Sequence, residues 1–216
     1  NFHESYSEHE SITFSAKGKV QTADGRTIDL EINLNISRSF AYSNSISFRA
    51  GDAVMVDPLV INSGNFPANL TEQKFEFDLD ADGNSEYISF PSQGSGFIAL
   101  DINEDGIIND GNELFGTKTG DGFYELSAYD SDKNGWIDEN DPIYDKLRIW
   151  TKDENGNDQL FALGQKGIGA IYLGNVITDF SLKNADNSTK GQIRKTGIYI
   201  NENGSTGTIQ HVDIVI

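Results

Sequence analysis

The chain has 216 residues, with 16 Lys and Arg against 34 Asp and Glu, which gives a formal charge of −18 and a pI near 4.3. That length supports one well-buried domain or two small ones, and the acidity argues against nucleic acid and anionic membrane as partners. Cysteine is absent, which excludes disulfides and thiolate metal sites, and no apolar run reaches the roughly 18 residues that membrane insertion needs.

Because the chain starts at Asn1 and its only methionine is Met55, it reads as a fragment or processed form, so a missing targeting signal says nothing about compartment. The histidines, His3, His9 and His211, are too scattered to suggest a zinc constellation unless folding gathers them. Residues 1–10 are polar and read as a loosely held end. From Ile12, apolar residues alternate with polar ones through Phe14, Ala16 and Val20, and again through Ile28, Leu30, Ile32, Leu34 and Ile36. This predicts a β-hairpin. A three-residue loop at Ala23-Asp24-Gly25, with Gly25 left-handed, pairs Val20 with Ile28, Ala16 with Ile32, Phe14 with Leu34 and Ile12 with Ile36. The resulting ribbon has one wholly apolar face that must pack on something.

Residues 37–56 are serine-rich and read as a connector, so residues 1–56 form an N-terminal hairpin-and-connector unit ahead of a module over 57–216. Val56-Asp57-Pro58-Leu59-Val60-Ile61 is extended, with Pro58 biasing Asp57 away from helical angles. Lys74 to Phe77 leads into the first of three oxygen-rich turns. Phe97 to Leu100 reads as a strand or turn feeding the second, and Phe123 to Tyr129 as a short helix delivering the third. Asp141 and Pro142 look like an N-cap and first helical residue, which predicts an exit helix over Ile143 to Leu147. A second short helix is expected over Gln159 to Lys166, stopped by Gly167. Lys152 to Asp158 reads as a hairpin turn. Strands are expected over Ala170 to Leu173, Gly197 to Ile200 and Thr208 to Ile216, with a turn at Asn203-Gly204. The fold class expected is α+β: a β-rich domain with short helices around EF-hand-like loops, plus the hairpin.

Residues 101–141 carry twelve Asp and Glu against two Lys, a net of −10, so the acidity is concentrated around the turns. Each turn follows the D-x-[DN]-x-[DN]-G scheme, in which side chains at positions 1, 3 and 5 converge, Gly at 6 takes a sharp bend, position 7 offers a carbonyl and a later carboxylate closes the sphere. The candidate ligands are Asp130, Asp132, Asn134, the Trp136 carbonyl, Asp138 and Asp141 in one loop. In the preceding loop they are Asp101, Asn103, Asp105, the Ile107 carbonyl, Asn109 and, one position late, Glu113. Asp78, Asp80, Asp82, Asn84 and Glu86 form the other, which lacks an acid at position 12. The pattern points to Ca2+, with two sites and a third of weaker pattern.

Several segments resemble the self-processing module of iron-regulated RTX proteins of the FrpC type. They are Asp57-Pro58-Leu59-Val60, Phe75 to Gly83, Gly96-Phe97-Ile98-Ala99-Leu100-Asp101, Asn112-Glu113-Leu114-Phe115-Gly116 and Leu147-Arg148-Ile149-Trp150, in order over residues 57–216. The resemblance implies calcium-triggered folding, then self-cleavage of the Asp57-Pro58 bond, with Asp57 as nucleophile and Pro58 as leaving group. It also implies a bacterial secreted or surface setting, and capture of the activated Asp57 by water or by a lysine-bearing protein through an isopeptide link. The competing reading is a non-catalytic calcium-stabilised structural or adhesion module. An intracellular EF-hand sensor fits less well, since the predicted helices are short and no Met-rich groove is present.

Overall fold

The computed structural model describes residues 5–21, 25–43, 55–64 and 66–216. Ser5–Gln21 (β1) and Thr27–Ser43 (β2) form the antiparallel ribbon in the register read from sequence, with Phe14 opposite Leu34 and Val20 opposite Ile28. Gly25 is left-handed at φ 84°, as a tight return requires, while Ala23 and Asp24 lie outside the described residues. Two expectations change here: residues 5–10 are strand, and residues 37–43 belong to β2 rather than to a connector. Pairing with the opposite strand overrides weak local patterning.

The body is built on a nine-stranded antiparallel sheet. Its strands are Met55–Val56 (β3), Leu59–Asn62 (β4), Ser95–Leu100 (β7), Trp136–Ile137 (β8), Leu147–Lys152 (β9), Asp158–Ala162 (β10), Ile168–Lys183 (β11), Thr189–Asn201 (β12) and Thr206–Val215 (β13). The order is β10-β9-β7-β4-β13-β12-β11-β8, with β3 also on β13. A separate pair, Leu70–Phe77 (β5) and Glu86–Pro91 (β6), packs against one face.

Both faces of the central strands are covered, which explains their near-continuous apolar runs. Val60, Phe97, Trp150, Val212 and Ile214 point into a core shared with Phe77, Leu79, Ile88 and Phe90 from the β5–β6 side. Their neighbours Leu59, Ile61, Ile98, Ile149 and Ile209 point the other way, toward Phe115, Phe123, Leu126 and Ile137. The ribbon lays Phe14, Leu30, Ile32 and Leu34 on Ile198 and Ile200 of β12. The Ser181 amide donates to Glu10 at 3.0 Å, and Arg38 donates to Asn187 at 3.1 Å. The apolar face demanded by the sequence therefore has its partner.

The α+β expectation is overturned: 57% of the described residues are strand and 6% helical. Gly122–Ser127 (α1) is the one α-helix among the described residues, near the place expected for it. The predicted exit helix over Ile143 to Leu147 is a turn that enters β9, and Asp141 sends its carboxylate back into the preceding loop instead of forward as a cap. Gln159 to Ala162 is strand, paired with β9, and only Gly164–Lys166 makes a 3-10 turn. Gly167 ends that turn left-handed at φ 72°, as read. Segments this short do not offset helix nucleation alone, so available sheet partners decide their state. The Lys152 to Asp158 turn joins β9 to β10, with Asp153 accepting the Asn155 and Asn157 amides.

Candidate functional site

Three acidic turns share one backbone. Position 4 is left-handed in each, at Ala81, Glu104 and Lys133 (φ 58°, 58° and 59°), as is the glycine at position 6, Gly83, Gly106 and Gly135. The first carboxylate takes the amides of positions 5 and 6: Asp78 from Asp82 and Gly83, Asp101 from Asp105 and Gly106, Asp130 from Asn134 and Gly135. These are local Asx-type bonds, which is why spacing alone located the turns.

The closing acids also correspond. Asp141 accepts the amides of positions 2 and 9, Ser131 at 2.7 Å and Asp138 at 3.1 Å. Glu113 accepts those of Ile102 at 2.9 Å and Asn109 at 2.8 Å. One extra residue before Glu113 is thus absorbed by the 3-10 turn Gly111–Glu113 and by the longer side chain. Glu86 accepts the Leu79 amide at 3.1 Å and closes the first turn from position 9. That turn is the loop of the β5–β6 hairpin, closed by Phe77 opposite Glu86.

Carboxylates that could hold a metal ion gather at Asp78, Asp80, Asp82 and Glu86, and at Asp130, Asp132 and Asp141, each set within 4.8 Å. In the middle turn Asn103 Nδ2 lies 3.0 Å from both Asp105 Oδ2 and Asn109 Oδ1, so those three side chains converge. Asp138 instead takes the Asn140 amide at 2.9 Å, and its second oxygen lies 3.3 Å from Asn134 Nδ2. At position 8, Ile108 and Ile137 are buried in the two cores and anchor their loops.

Asp57 and Pro58 occupy a different kind of position. β3 and β4 meet β13 in a single register, Val56 opposite Ile214 and Leu59 opposite His211, which sets Asp57 across from Asp213 and Pro58 across from Val212. The ladder breaks there because proline has no N–H, although the Val212 amide still donates to the Pro58 carbonyl at 3.1 Å. Alternation along β13 then turns His211 and Asp213 to the same face as Asp57. His211 Nε2 lies 3.9 Å from Asp57 Oδ2 and 3.8 Å from Asp213 Oδ1.

This pocket perturbs its acids and base. Burial and the charge of Asp57 push Asp213 up to about 7, against an opposing pull from Arg194. Burial holds the His211 imidazole below its ordinary value, partly offset by Asp57. Beside them, Lys195 Nζ binds Asp121 Oδ2 at 2.7 Å. Burial raises the Asp121 carboxyl, but the Lys195 and Tyr124 hydrogen bonds outweigh it and leave the group lowered.

The Asn112 to Gly116 segment supplies the other wall. Glu113 closes its turn, Leu114 bridges Ala99, and the Phe115 carbonyl accepts the Leu59 amide at 2.9 Å. Gly116, at φ 108°, lies so close to Asp57 that a Cβ would stand 2.0 Å from the Asp57 carbonyl oxygen. The next turn brings Gly120 against the Asp57 side chain, where a Cβ would be 3.1 Å from Oδ2. Phe115 and Gly116, which coordination does not require, therefore lie against the backbone on either side of the Asp-Pro bond. Sequence reading singled out Asp57 and Pro58 but not the neighbours the fold gives them, His211, Asp213, Asp121 and Lys195, which carry no local motif.

Fold and site together define an antiparallel β module with three acidic turns, in which the segment after the second turn packs on a strand-interrupting Asp-Pro bond. Residues 63–215 match the family model of the SPM domain, most of the chain, and the chain belongs to that family. The match begins after Pro58, so Asp57, Pro58 and the N-terminal ribbon lie outside it.

Proposed function

We propose that this chain is a calcium-folded self-processing module of the FrpC type, from a secreted or surface bacterial protein, that cleaves its own Asp57-Pro58 bond just ahead of the SPM match. The observation that carries this reading is the clamp on that bond: Phe115 and Gly116 hold the backbone at Asp57 and Leu59, only two and three residues after the acid that closes the second turn. Calcium held by the Asp101 to Glu113 and Asp130 to Asp141 loops, with a third ion in the Asp78 to Glu86 loop, would supply charge neutralisation and order. The reaction itself belongs to this chain's own groups.

The Asp57 carboxylate attacks its own main-chain carbonyl carbon and forms a five-membered cyclic anhydride. The C–N bond to Pro58 breaks, and the Pro58 nitrogen leaves with a proton. Asp213, which burial and the charge of Asp57 push up to about 7, lies opposite Asp57 on β13 and would supply it. Water, or a lysine amine of a second protein, then opens the anhydride, and the neutral His211 imidazole accepts the proton released. The nucleophile is intramolecular, and such proximity supplies several kcal/mol.

The test is incubation of the purified chain with and without calcium, read on a denaturing gel with N-terminal sequencing. A calcium-dependent fragment beginning at Pro58, absent from Asp57→Asn, is expected. An intact chain after long incubation at neutral and mildly acidic pH would instead leave a non-catalytic, calcium-stabilised module.

A further inference from the structure

We propose that Asp57, His211 and Asp213 form a binding site for a divalent transition metal of the zinc class, separate from the acidic turns. His211 is 3% exposed, and neither ring nitrogen has a hydrogen-bond partner among the described residues. The Asp213 Oδ1 atom is likewise buried and unpartnered, and it lies 3.8 Å from His211 Nε2. Arg194 engages the other oxygen, with its Nε 3.5 Å from Asp213 Oδ2, so Oδ1 is the free ligand atom. Asp57 Oδ2 completes a triangle 3.9 Å from the imidazole, and one ligand atom from each of the three residues lies within 4.8 Å of the others.

Tetrahedral ligands bound at about 2.1 Å stand about 3.4 Å apart, so the imidazole must close on each carboxylate by about half an ångström. One imidazole and two carboxylates suit zinc or cobalt and not calcium, which takes oxygen ligands. The Asp57 side chain is 26% exposed, which gives an entry path and a fourth position for water. None of the three residues belongs to an acidic turn. A metal on the Asp57 carboxylate would also occupy the nucleophile and hold the bond uncut; that consequence, unlike the binding, rests on the cleavage reading above.

The experiment titrates Zn2+ into the calcium-saturated full chain by calorimetry, with intactness checked on a denaturing gel. One equivalent of zinc is expected, weakened at least tenfold in His211→Gln and unchanged in His9→Gln. A readout that needs no variant is Co2+ in place of zinc, which should shift the His211 imidazole proton resonances of the wild-type chain. No zinc uptake beyond calcium saturation, or a His211 resonance untouched by bound cobalt, overturns the site. Zinc uptake by a chain that never cleaves supports the site and removes only the cleavage reading; a chain shown intact on the gel that takes up no zinc removes the site whether or not it later cleaves.

Discussion

Replacing Gly116 by alanine tests whether the turn after the second acidic loop clamps the Asp57 backbone. Two costs combine. A non-glycine residue at φ 108° is strained by about 1–3 kcal/mol. The added methyl would stand 2.0 Å from the Asp57 carbonyl oxygen and 3.2 Å from the Gly122 nitrogen, so backbone must move, and overpacking of this kind costs about 1–3 kcal/mol more. Gly94→Ala is the control, because Gly94 has a similar φ of 88° with nothing within 4 Å of its Cβ position. It carries the strain without the collision. In urea unfolding with excess calcium, Gly116→Ala should lose more stability than Gly94→Ala, by about 1–3 kcal/mol. If the bond is cleaved, the Pro58 fragment should also appear more slowly in Gly116→Ala alone. Equal losses at the two glycines would refute the clamp.

Glu113→Gln should weaken calcium binding at the second loop at least tenfold in a chelator competition while leaving the third loop unchanged, since the two loops close on separate acids. Asp213 gives a pH dependence whose sign is fixed. Its folded pKa of about 7 lies above the ordinary carboxyl value, so between about pH 4 and 7 the fold holds a proton that the unfolded chain has released. Stability contributed by this group is present below pH 4 and is lost as pH rises toward 7. Asp213→Asn should therefore be more stable than wild type at pH 8, by about 1–3 kcal/mol after loss of the Arg194 contact, with the advantage fading toward pH 4. Denaturation midpoints across that range check it, and an advantage that grows on acidification would reverse the argument. Ile32→Asp puts a charge where Ile32 is 1% exposed against β12, and should undock the ribbon by about 3 kcal/mol or more. Hydrogen exchange should quicken at β1 and β2 amides and stay slow at β13; equal acceleration everywhere would show that the ribbon does not dock as a unit.

The parts of this protein that sequence determined are those whose partners lie nearby in the chain. The three acidic turns are fixed by Asx bonds spanning two to five residues, so spacing alone located them. The ribbon register follows from alternation and from one left-handed glycine. The Asp57-Pro58 dipeptide is visible as a break in an extended run. Helix or strand was decided elsewhere: Gln159 to Ala162 carries no strong preference, and β9 beside it makes it strand. The chemistry around Asp57 was also decided in three dimensions. His211 and Asp213 come from the far end of the chain, and they meet Asp57 because β13 pairs with β3 and β4 across a proline that cannot continue the ladder. Gly116 reads as an ordinary turn residue until the fold places the Asp57 carbonyl against it. Local hydrogen bonds need only the order of residues, whereas burial, cross-strand charge and backbone contact require the sheet to be assembled first.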